Sequence, residues 1–520
     1  METTSSTNWL EYPENGYLNV TNKNTQKLSS LILGLPVTNI LGTMDRDIRN
    51  IVYDSRNSDE DSLFVAIHGE NWDGGLFIKD AIARGATAFI TQTSLDSING
   101  LSLGTRDVTA LSVEDSRRAL SIISANFYRQ PSERIALTGI TGTNGKTTTA
   151  YILEALFSAK GIRTGVIGTI NYHYGNKKLS APVTTPESLD LNRMLAAMIE
   201  DNVQNCFLEV SSHALHQSRV NDMLFKVGIF TNLSRDHLDF HGDMKSYKEA
   251  KKKLFLDNRV QQKIFNIDDA VGREFAGEFK TDSFTTGIDG NADFKAENIL
   301  LTKSGCQFTL KTPFGTGEIR SNLLGRHNIH NLISAAAGAM AQGISLEEVQ
   351  KVALNIQPVP GRFESIENNQ GFSVLVDYAH TDDALKNAIS AAKLFTEGKV
   401  IVVFGCGGDR DKGKRQTMGQ AALNEADFSV ITSDNPRTED PSQIIEDILR
   451  GIPASAVEGK DYTAITSRKE AIEHAIDIAG ENDLVLIAGK GHEDYQILGT
   501  QTIHFDDREI ARSALGKRIH

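Results

Sequence analysis

Short apolar runs separated by amphipathic stretches organise the chain from residue 48 onward. Runs at 48–53, 62–67 and 87–91 predict strands, with a helix at 77–84 before the last of them. This reads as a small α/β unit ending near Gln130-Pro131. A continuous apolar run at 134–138 suits a strand buried on both faces. A helix at 147–158 and strands at 164–167, 205–210, 227–231 and 263–266 follow, with helical patterns between several of them. Further strands are expected at 373–377, 400–404, 428–432 and 484–488, alternating with helices at 383–395, 442–450 and 468–479. Strands alternating with helices predict parallel, doubly wound sheets. Pro358-Val359-Pro360-Gly361 makes a hinge. The expected fold class is therefore α/β in three domains. These are a small N-terminal α/β domain (1–132), a central parallel sheet with a P-loop (133–360) and a C-terminal Rossmann-like α/β domain (361–520). Residues 1–46 carry no regular pattern.

Length agrees with that division, since 520 residues at roughly 100–200 per domain give three or four domains. The net charge of −13 argues against non-specific nucleic-acid binding, whose affinity comes from neutralising phosphates. A local basic pocket for an anionic small molecule stays open. Cys206, Cys306 and Cys406 are odd in number and lack C-x-x-C spacing, which speaks against a disulfide framework or a zinc site. No signal-peptide pattern and no stretch of ~18 apolar residues is present, so a cytoplasmic protein without membrane insertion is expected.

Candidate chemistry gathers at the expected strand ends, where open α/β sheets bind ligands. Gly142-Thr143-Asn144-Gly145-Lys146-Thr147-Thr148 joins a strand to a helix. Its backbone N–H groups and helix N-terminus can cradle phosphates, Lys146 can reach the β/γ-phosphates, and the Thr147 hydroxyl can face Mg²⁺. The strict G-x-x-x-x-G-K-[ST] spacing fails, because Ile140 stands at the first Gly position. Glu209 ends the strand at 205–210 and could hold a divalent cation. The segment 232–242 carries Asp236, His237, Asp239 and His241, a set suited to metal or phosphate. By spacing alone Lys248, Lys251, Lys252 and Lys253 form a solvated basic face of a helix.

Together these motifs resemble the Mur ligases, bacterial enzymes that add amino acids to the UDP-N-acetylmuramoyl peptide precursor of peptidoglycan. The resemblance rests on 141–149, 209–213, 232–242, Ala250-Lys251, 325–331, Gly361-Arg362-Phe363-Glu364 and 376–381, and runs from about Asp54 to Glu493. It implies that Lys251 is carbamylated (N6-carboxylysine), which turns a cation into a magnesium-binding anion. It implies a catalytic set of Lys146, Glu209, His237 and Lys251, with Thr147, Glu209, His237 and Lys251 handling Mg²⁺. Asn328, Asn331, Arg362 and Asp377 would join Gly142 to Thr148 in holding ATP. The Asn pair could bind adenine or pack a helix start, and the sequence leaves both open. The UDP-sugar peptide would lie on Ser55, Glu70, Asn71, Trp72, Thr184, Thr185, Ser211, Gln217 and Arg219. Taken alone, Asp54-Ser55-Arg56 is an ordinary turn with a local ion pair.

In the last domain, loops at 407–412, 434–437 and 489–493 each follow an expected strand and should share one sheet edge. They offer two arginines, acids, an Asn and glycine backbone, which suits a zwitterionic amino acid with an extra carboxylate. Asp434-Asn435-Pro436-Arg437 resembles the signature of the meso-diaminopimelate-adding members. The resemblance implies a pocket of Arg410, Asp434, Asn435, Pro436, Arg437, Gly489 and Glu493. Arg437 would pair with a distal carboxylate that lysine lacks, and a buried unpaired Arg rejects lysine. The plain alternative for Arg437 is a surface salt bridge with Glu439 or Asp440. Asp382 stands where many relatives have Pro, which bears on local rigidity.

The resemblance implies amide-bond formation through an acyl phosphate by a monomer, with closure of the third domain completing the site. Rival readings are the same ligation with lysine or another diamino acid, a folylpolyglutamate or cyanophycin-type ligase, and a non-catalytic binding protein.

Overall fold

The runs that read as continuously apolar become strands covered on both faces. The computed structural model describes residues 8–10, 25–69, 73–95, 107–302 and 304–518. Its contacts group the chain into two units. One holds 1–141, 160–228 and 250–263, the other 142–159, 229–249 and 264–520. Among the described residues no helix is long and apolar enough to cross a membrane.

The first unit contains a five-stranded sheet in the order Val37–Leu41, Thr109–Val113, Ala88–Thr91, Ser62–Val65, Asn50–Val52. Val37–Leu41 is antiparallel and the others are parallel. Leu63, Val65, Ala88 and Ile90 pack toward helix Ser116–Phe127. Phe64 and Phe89 face the other way, against helix Ile78–Arg84. A second group of strands in this unit runs Asn171–Tyr174, Thr164–Ile167, Asn205–Glu209, Ala136–Thr141, the last three parallel. Ala136–Thr141 begins and ends later than the apolar run at 134–138. Its last residues are paired along Phe207–Glu209, so ladder pairing extends the strand beyond the hydrophobic stretch. Ile140, at the motif's missing glycine, therefore lies inside a strand.

In the second unit, helix Lys146–Ser158 packs against Arg326–Met340, whose buried face carries Ala335, Ala336, Ala337 and Ala339. Strands Phe294–Thr302, Gly305–Thr312 and Gly315–Ser321 form an antiparallel ribbon. The sequence reading had no strands there, although Cys306, Phe308 and Leu310 alternate and are buried. The C-terminal sheet has the order Glu364–Ile366, Ser373–Asp377, Leu484–Ala488, Val400–Phe404, Phe428–Ile431, Tyr462–Ala464, antiparallel at the first pair and parallel elsewhere. Its successive side chains feed two cores. Val402, Phe404 and Leu486 face helices Asp382–Lys393 and Pro441–Leu449, while Val403, Val485 and Ile487 face helix Arg468–Ile478. The parallel strands bring the loops after Phe404, Ile431 and Ala488 to one edge.

Candidate functional site

A cavity of about 380 Å³ opens in the second unit beside the phosphate loop. Gly142 and Gly145 both have positive φ, and a Cβ would meet Thr231 Oγ1 at 1.9 Å and Asn331 Oδ1 at 2.3 Å respectively. Only glycine satisfies both the dihedral and the space. The loop is tied down through its main chain. Thr231 Oγ1 donates to Asn144 O (2.6 Å), and Asn144 N donates to Asn232 Oδ1 (2.9 Å). Lys146 Nζ lies across the loop, donating to Gly142 O and Thr143 O at 2.9 Å each.

Of the expected ATP residues, Asn144, Gly145, Thr148, Asn328, Asn331, Arg362 and Asp377 line this cavity, whereas Gly142, Thr143, Lys146 and Thr147 do not. Thr147 is 2% exposed and accepts from Arg362 Nη2 at 3.2 Å. The Arg362 guanidinium also stacks on Tyr378, 4.3 Å from the ring centre. Asp377 accepts from the backbone N–H of Phe363 (2.8 Å) and Ala379 (2.9 Å), tying the 361–364 segment to the end of its strand. Burial pushes its carboxyl up, opposed by the Arg362 charge. The helix-start reading of the Asn pair is observed directly, and the same two side chains also line the cavity. Asn328 Nδ2 donates to Leu324 O at the helix start, Asn331 Nδ2 donates to Asn328 Oδ1, and both face the cavity.

The cavity wall also includes His327, His330, Asp268 and Tyr378, which the sequence reading did not select. Burial lowers the His327 pKa to about 4, and it lowers that of His330 as well. Both rings are thus neutral near pH 7 and suit an uncharged base better than phosphate. The histidines of the Gly325–Asn331 stretch were the available signal.

In 232–242 the centre is Asp236 rather than His237. Its carboxylate, 5% exposed, lies 3.3 Å from His237 Nε2, 3.5 Å from His380 Nε2 and 3.6 Å from Lys414 Nζ. Burial alone would raise its pKa, but these partners hold it well below the usual carboxylate range. Arg235 pairs with Asp411 at 3.1 Å. Asp239 is exposed.

The first unit gathers another set. Glu209, 1% exposed, accepts from Thr169 N (3.0 Å) and Thr169 Oγ1 (2.9 Å). Thr169 Oγ1 meets Thr184 Oγ1 at 3.2 Å, and Thr185 Oγ1 donates to Glu209 O at 2.7 Å. Ser211 N donates to Thr185 Oγ1, and Arg219 bonds Thr185 O and Gln217 Oε1. Thr184, Thr185, Glu209, Ser211, Gln217 and Arg219 are thus one network. Arg219 is further steadied by Glu187, 3.6 Å away, which also holds Arg117 at 3.0 Å. Ser55 is buried in a short turn where Asp54 pairs with Arg56 at 2.6 Å, so the plain local ion pair is present. Glu70, Asn71 and Trp72 lie outside the described residues. Lys251 is 1% exposed on helix Met244–Leu256, which corrects the expected solvated basic face. The apolar positions Tyr247, Ala250 and Leu254 carry it inward with them. The expected metal residues divide between the units, Glu209 and Lys251 in the first, Thr147 and His237 in the second. Among the described residues no three His, Cys, Asp or Glu side chains form a metal-binding group.

At the C-terminal sheet edge the three expected loops meet. Asn435 Nδ2 donates to Glu493 Oε2 (2.9 Å), and Arg437 Nη1 donates to Gly408 O (2.8 Å) and Asn435 O (3.4 Å). Gly489 has φ +118°, and a Cβ there would sit 2.8 Å from Asp434 Oδ2. The surface salt bridge considered for Arg437 does not form. Glu439 belongs to Arg415 (2.8 Å) and Lys412 (3.1 Å), and Asp440 caps helix Pro441–Leu449. Burial and the nearby Arg410 both lower the Arg437 pKa, so two like charges face one space. Opposite them sit Asp434, buried but held low by Lys490 and Arg468, and Glu493, pushed up by burial and by Asp434. Lys490 is fully buried, 3.1 Å from Glu493. It belongs to the 489–493 loop, and nothing in the sequence distinguishes it there from a solvated lysine.

Comparison with known proteins identifies three matched stretches and the chain's relatives. Family models match residues 47–128 (Mur ligase family, catalytic domain), 140–339 (Mur ligase middle domain) and 361–491 (Mur ligase, glutamate ligase domain). A UDP-N-acetylmuramoyl-L-alanyl-D-glutamate–2,6-diaminopimelate ligase from Geobacillus thermodenitrificans is 44% identical over 499 residues, covering 95% of this chain and 100% of that one. A solved structure of a ligase with the same description is 31% identical with a TM-score of 0.67, covering 96% of this chain and 100% of the other. A folylpolyglutamate synthase from Mycobacterium tuberculosis shares the fold at 18% identity and a TM-score of 0.59, over 77% of this chain and 95% of its own.

Proposed function

The chain belongs to the Mur ligase family, and we propose that it joins meso-diaminopimelate to UDP-N-acetylmuramoyl-L-alanyl-D-glutamate while ATP becomes ADP and phosphate. Arg437 carries this reading. Its hydrogen bonds go to carbonyl oxygens, Arg410 adds a second positive charge, and Asp434 and Glu493 stand near. A diamino acid with two carboxylates matches both signs. Lysine would leave Arg437 partly buried without a counter-ion, which selects against it.

The reaction proceeds in two steps. The D-glutamyl carboxylate attacks the terminal phosphorus of ATP and ADP leaves, giving an acyl phosphate. The diaminopimelate amine attacks the acyl carbon and phosphate departs. Lys146 and the helix N-terminus offset charge on the transferring group. Asn144, Thr148, Asn328, Asn331, Arg362 and Asp377 hold the nucleotide, with Asn331 and neutral His327 toward the base. Arg219, Ser211, Gln217, Thr184 and Thr185 orient the peptide, and Ser55 serves the uridine side. Function divides as 1–132 for the sugar nucleotide, 133–360 for ATP and 361–520 for the amino acid.

Thr147 and His237 in the second unit, and Glu209 and Lys251 in the first, are the candidate Mg²⁺ donors of each unit, and Mg²⁺ would supply charge neutralisation on the phosphates when bound. A sparse protein donor set suits this ion, because Mg²⁺ takes one or two carboxylates and otherwise phosphate and water oxygens. Carbamylation of Lys251, which is 1% exposed, would turn an ammonium into an anion with oxygen donors for Mg²⁺. A cytoplasmic monomer without nucleic-acid partners completes the reading, in keeping with the charge of −13.

The test is ADP release by the full chain with dipeptide precursor and either meso-diaminopimelate or L-lysine, with the product weighed by mass spectrometry. Preference for lysine would sink the specificity claim. No ADP release with either amino acid would sink the ligase. Intact-mass measurement showing unmodified Lys251 in bicarbonate buffer would remove the carbamate.

A further inference from the structure

The amino-acid loops are braced by a buried ion pair lying outside every motif used above. Arg468, first residue of helix Arg468–Ile478, and Asp507, first residue of helix Asp507–Arg518, have side chains with no exposed surface. The pairing is bidentate, with Nε to Oδ1 at 2.8 Å and Nη2 to Oδ2 at 2.5 Å. The rest of the guanidinium is spent on main chain. Nη2 donates to Ala488 O at 3.0 Å and Nη1 to Ser433 O at 3.4 Å. These carbonyls immediately precede Gly489 and Asp434, so one planar cation spans the roots of two site loops.

The segment leading to Asp507 supports the same loops from outside. Strands Tyr495–Leu498 and Gln501–His504 form a hairpin. Within it Gln496 Nε2 donates to Asp434 O (2.6 Å) and Ile497 N to Asn435 Oδ1 (3.0 Å). Arg437 holds φ +52°, and its backbone is pinned on both sides, N to Ile497 O and O from Gly499 N. Such a conformation persists only where surroundings over-determine it. Arg508 then reaches back, donating to His492 O and lying 3.5 Å from Glu364.

A buried ion pair is weak evidence for stability, since apolar side chains of like volume often do as well. Here the remaining N–H groups that burial obliges to be paired fall on two loop carbonyls, so the pair also fixes the roots of both loops. We propose that Arg468 and Asp507 are positioning residues that set the Ser433-Asp434 and Ala488-Gly489 backbones for the incoming amino acid. Asp507 lies beyond the family-model match at 361–491, so the C-terminal helix becomes part of the specificity apparatus. This inference rests on the reading of the loops as the amino-acid site.

The experiment replaces the pair with apolar side chains, Arg468→Met with Asp507→Leu, in the full chain. Circular dichroism and thermal midpoint report the fold, and KM is measured for each of the three substrates. Expected is a folded protein whose KM for diaminopimelate rises on the order of tenfold or more. KM for ATP and the dipeptide precursor should stay unchanged, and preference over lysine should fall. Asp507→Asn, which keeps shape and one acceptor oxygen, should move the same constants less. It carries the test should the double variant not fold. Unchanged KM for diaminopimelate in a folded variant overturns the proposal, as does a uniform loss across all three substrates. A wild-type protein inactive with diaminopimelate refutes the underlying reading, and the inference with it.

Discussion

The phosphate loop and the proposed amino-acid site are built by opposite means. The cradle is main chain held by short polar side chains, with two glycines, a lysine folded over the loop, and Thr231 and Asn232 tying Asn144. Charged groups are few, and the geometry would serve any nucleoside triphosphate. The amino-acid site is charge held by charge. Arg437 and Arg410 share one space, Asp434 stays ionised against Lys490 and Arg468, and Arg468 is itself neutralised by Asp507. Backbone suffices to recognise what a superfamily has in common. Distinguishing one amino acid from another takes buried charges, and each buried charge recruits a further partner.

The largest effect should fall on the cradle. Lys146→Met should cut ADP release on the order of 10³-fold with every amino acid tried, because a charge aimed at the transferring phosphoryl group is lost. A variant retaining near wild-type turnover would mean that backbone alone carries the phosphates. Next comes Arg437→Met, which should lower the preference for diaminopimelate over lysine on the order of 10²-fold with ATP binding intact. Competition between the two amino acids reads this directly, and an unaltered ratio would locate selectivity elsewhere. Asn331→Val removes an amide between Gly145 and the cavity. It should raise KM for ATP about tenfold and leave KM for diaminopimelate alone. Equal rises in both constants would blur the two regions into one.

The difference in construction also explains what was legible. The cradle is contiguous in sequence, so Gly142 to Thr148 announced it despite Ile140 in the first glycine position. The strands at 373–377, 400–404 and 484–488 were legible to the residue, since each is a doubly covered apolar run. Arg437, Asn435 and Glu493 were named through their loops, which the structure brings to one edge. Lys490, Arg468 and Asp507 were missed, because a lone charged residue at a helix start reads as solvated and only tertiary packing buries it. Lys251 illustrates the same limit, where the lysine run predicted a wet face and the apolar residues beside it turned the side chain inward. Asp236 was legible as part of the 232–242 cluster, but not its pairing with His380 and Lys414, which come from distant sequence.

The smallest expected effect separates the regions by pH. Glu439 ties the 407–412 loop to the 434–440 loop, accepting from Arg415, Lys412 and the Asp409 N–H. The Arg415 hydrogen bond, ahead of the other partners, holds its carboxyl down to about 2 from an ordinary 4.5. A carboxyl depressed on folding contributes stability that is complete above its unfolded pKa and is lost as pH falls through the folded one. Glu439→Gln should therefore lower stability by about 1 kcal/mol near neutrality, the size of one net hydrogen bond. The gap to wild type should close between about pH 5 and pH 2. Asn331→Val, which removes an uncharged side chain from the cavity wall, should keep the wild-type slope over the same range. Parallel thermal-midpoint curves for wild type and Glu439→Gln would mean that the loops are braced without this carboxylate. Divergent slopes for the cradle variant would mean that charge matters as much there as at the amino-acid site.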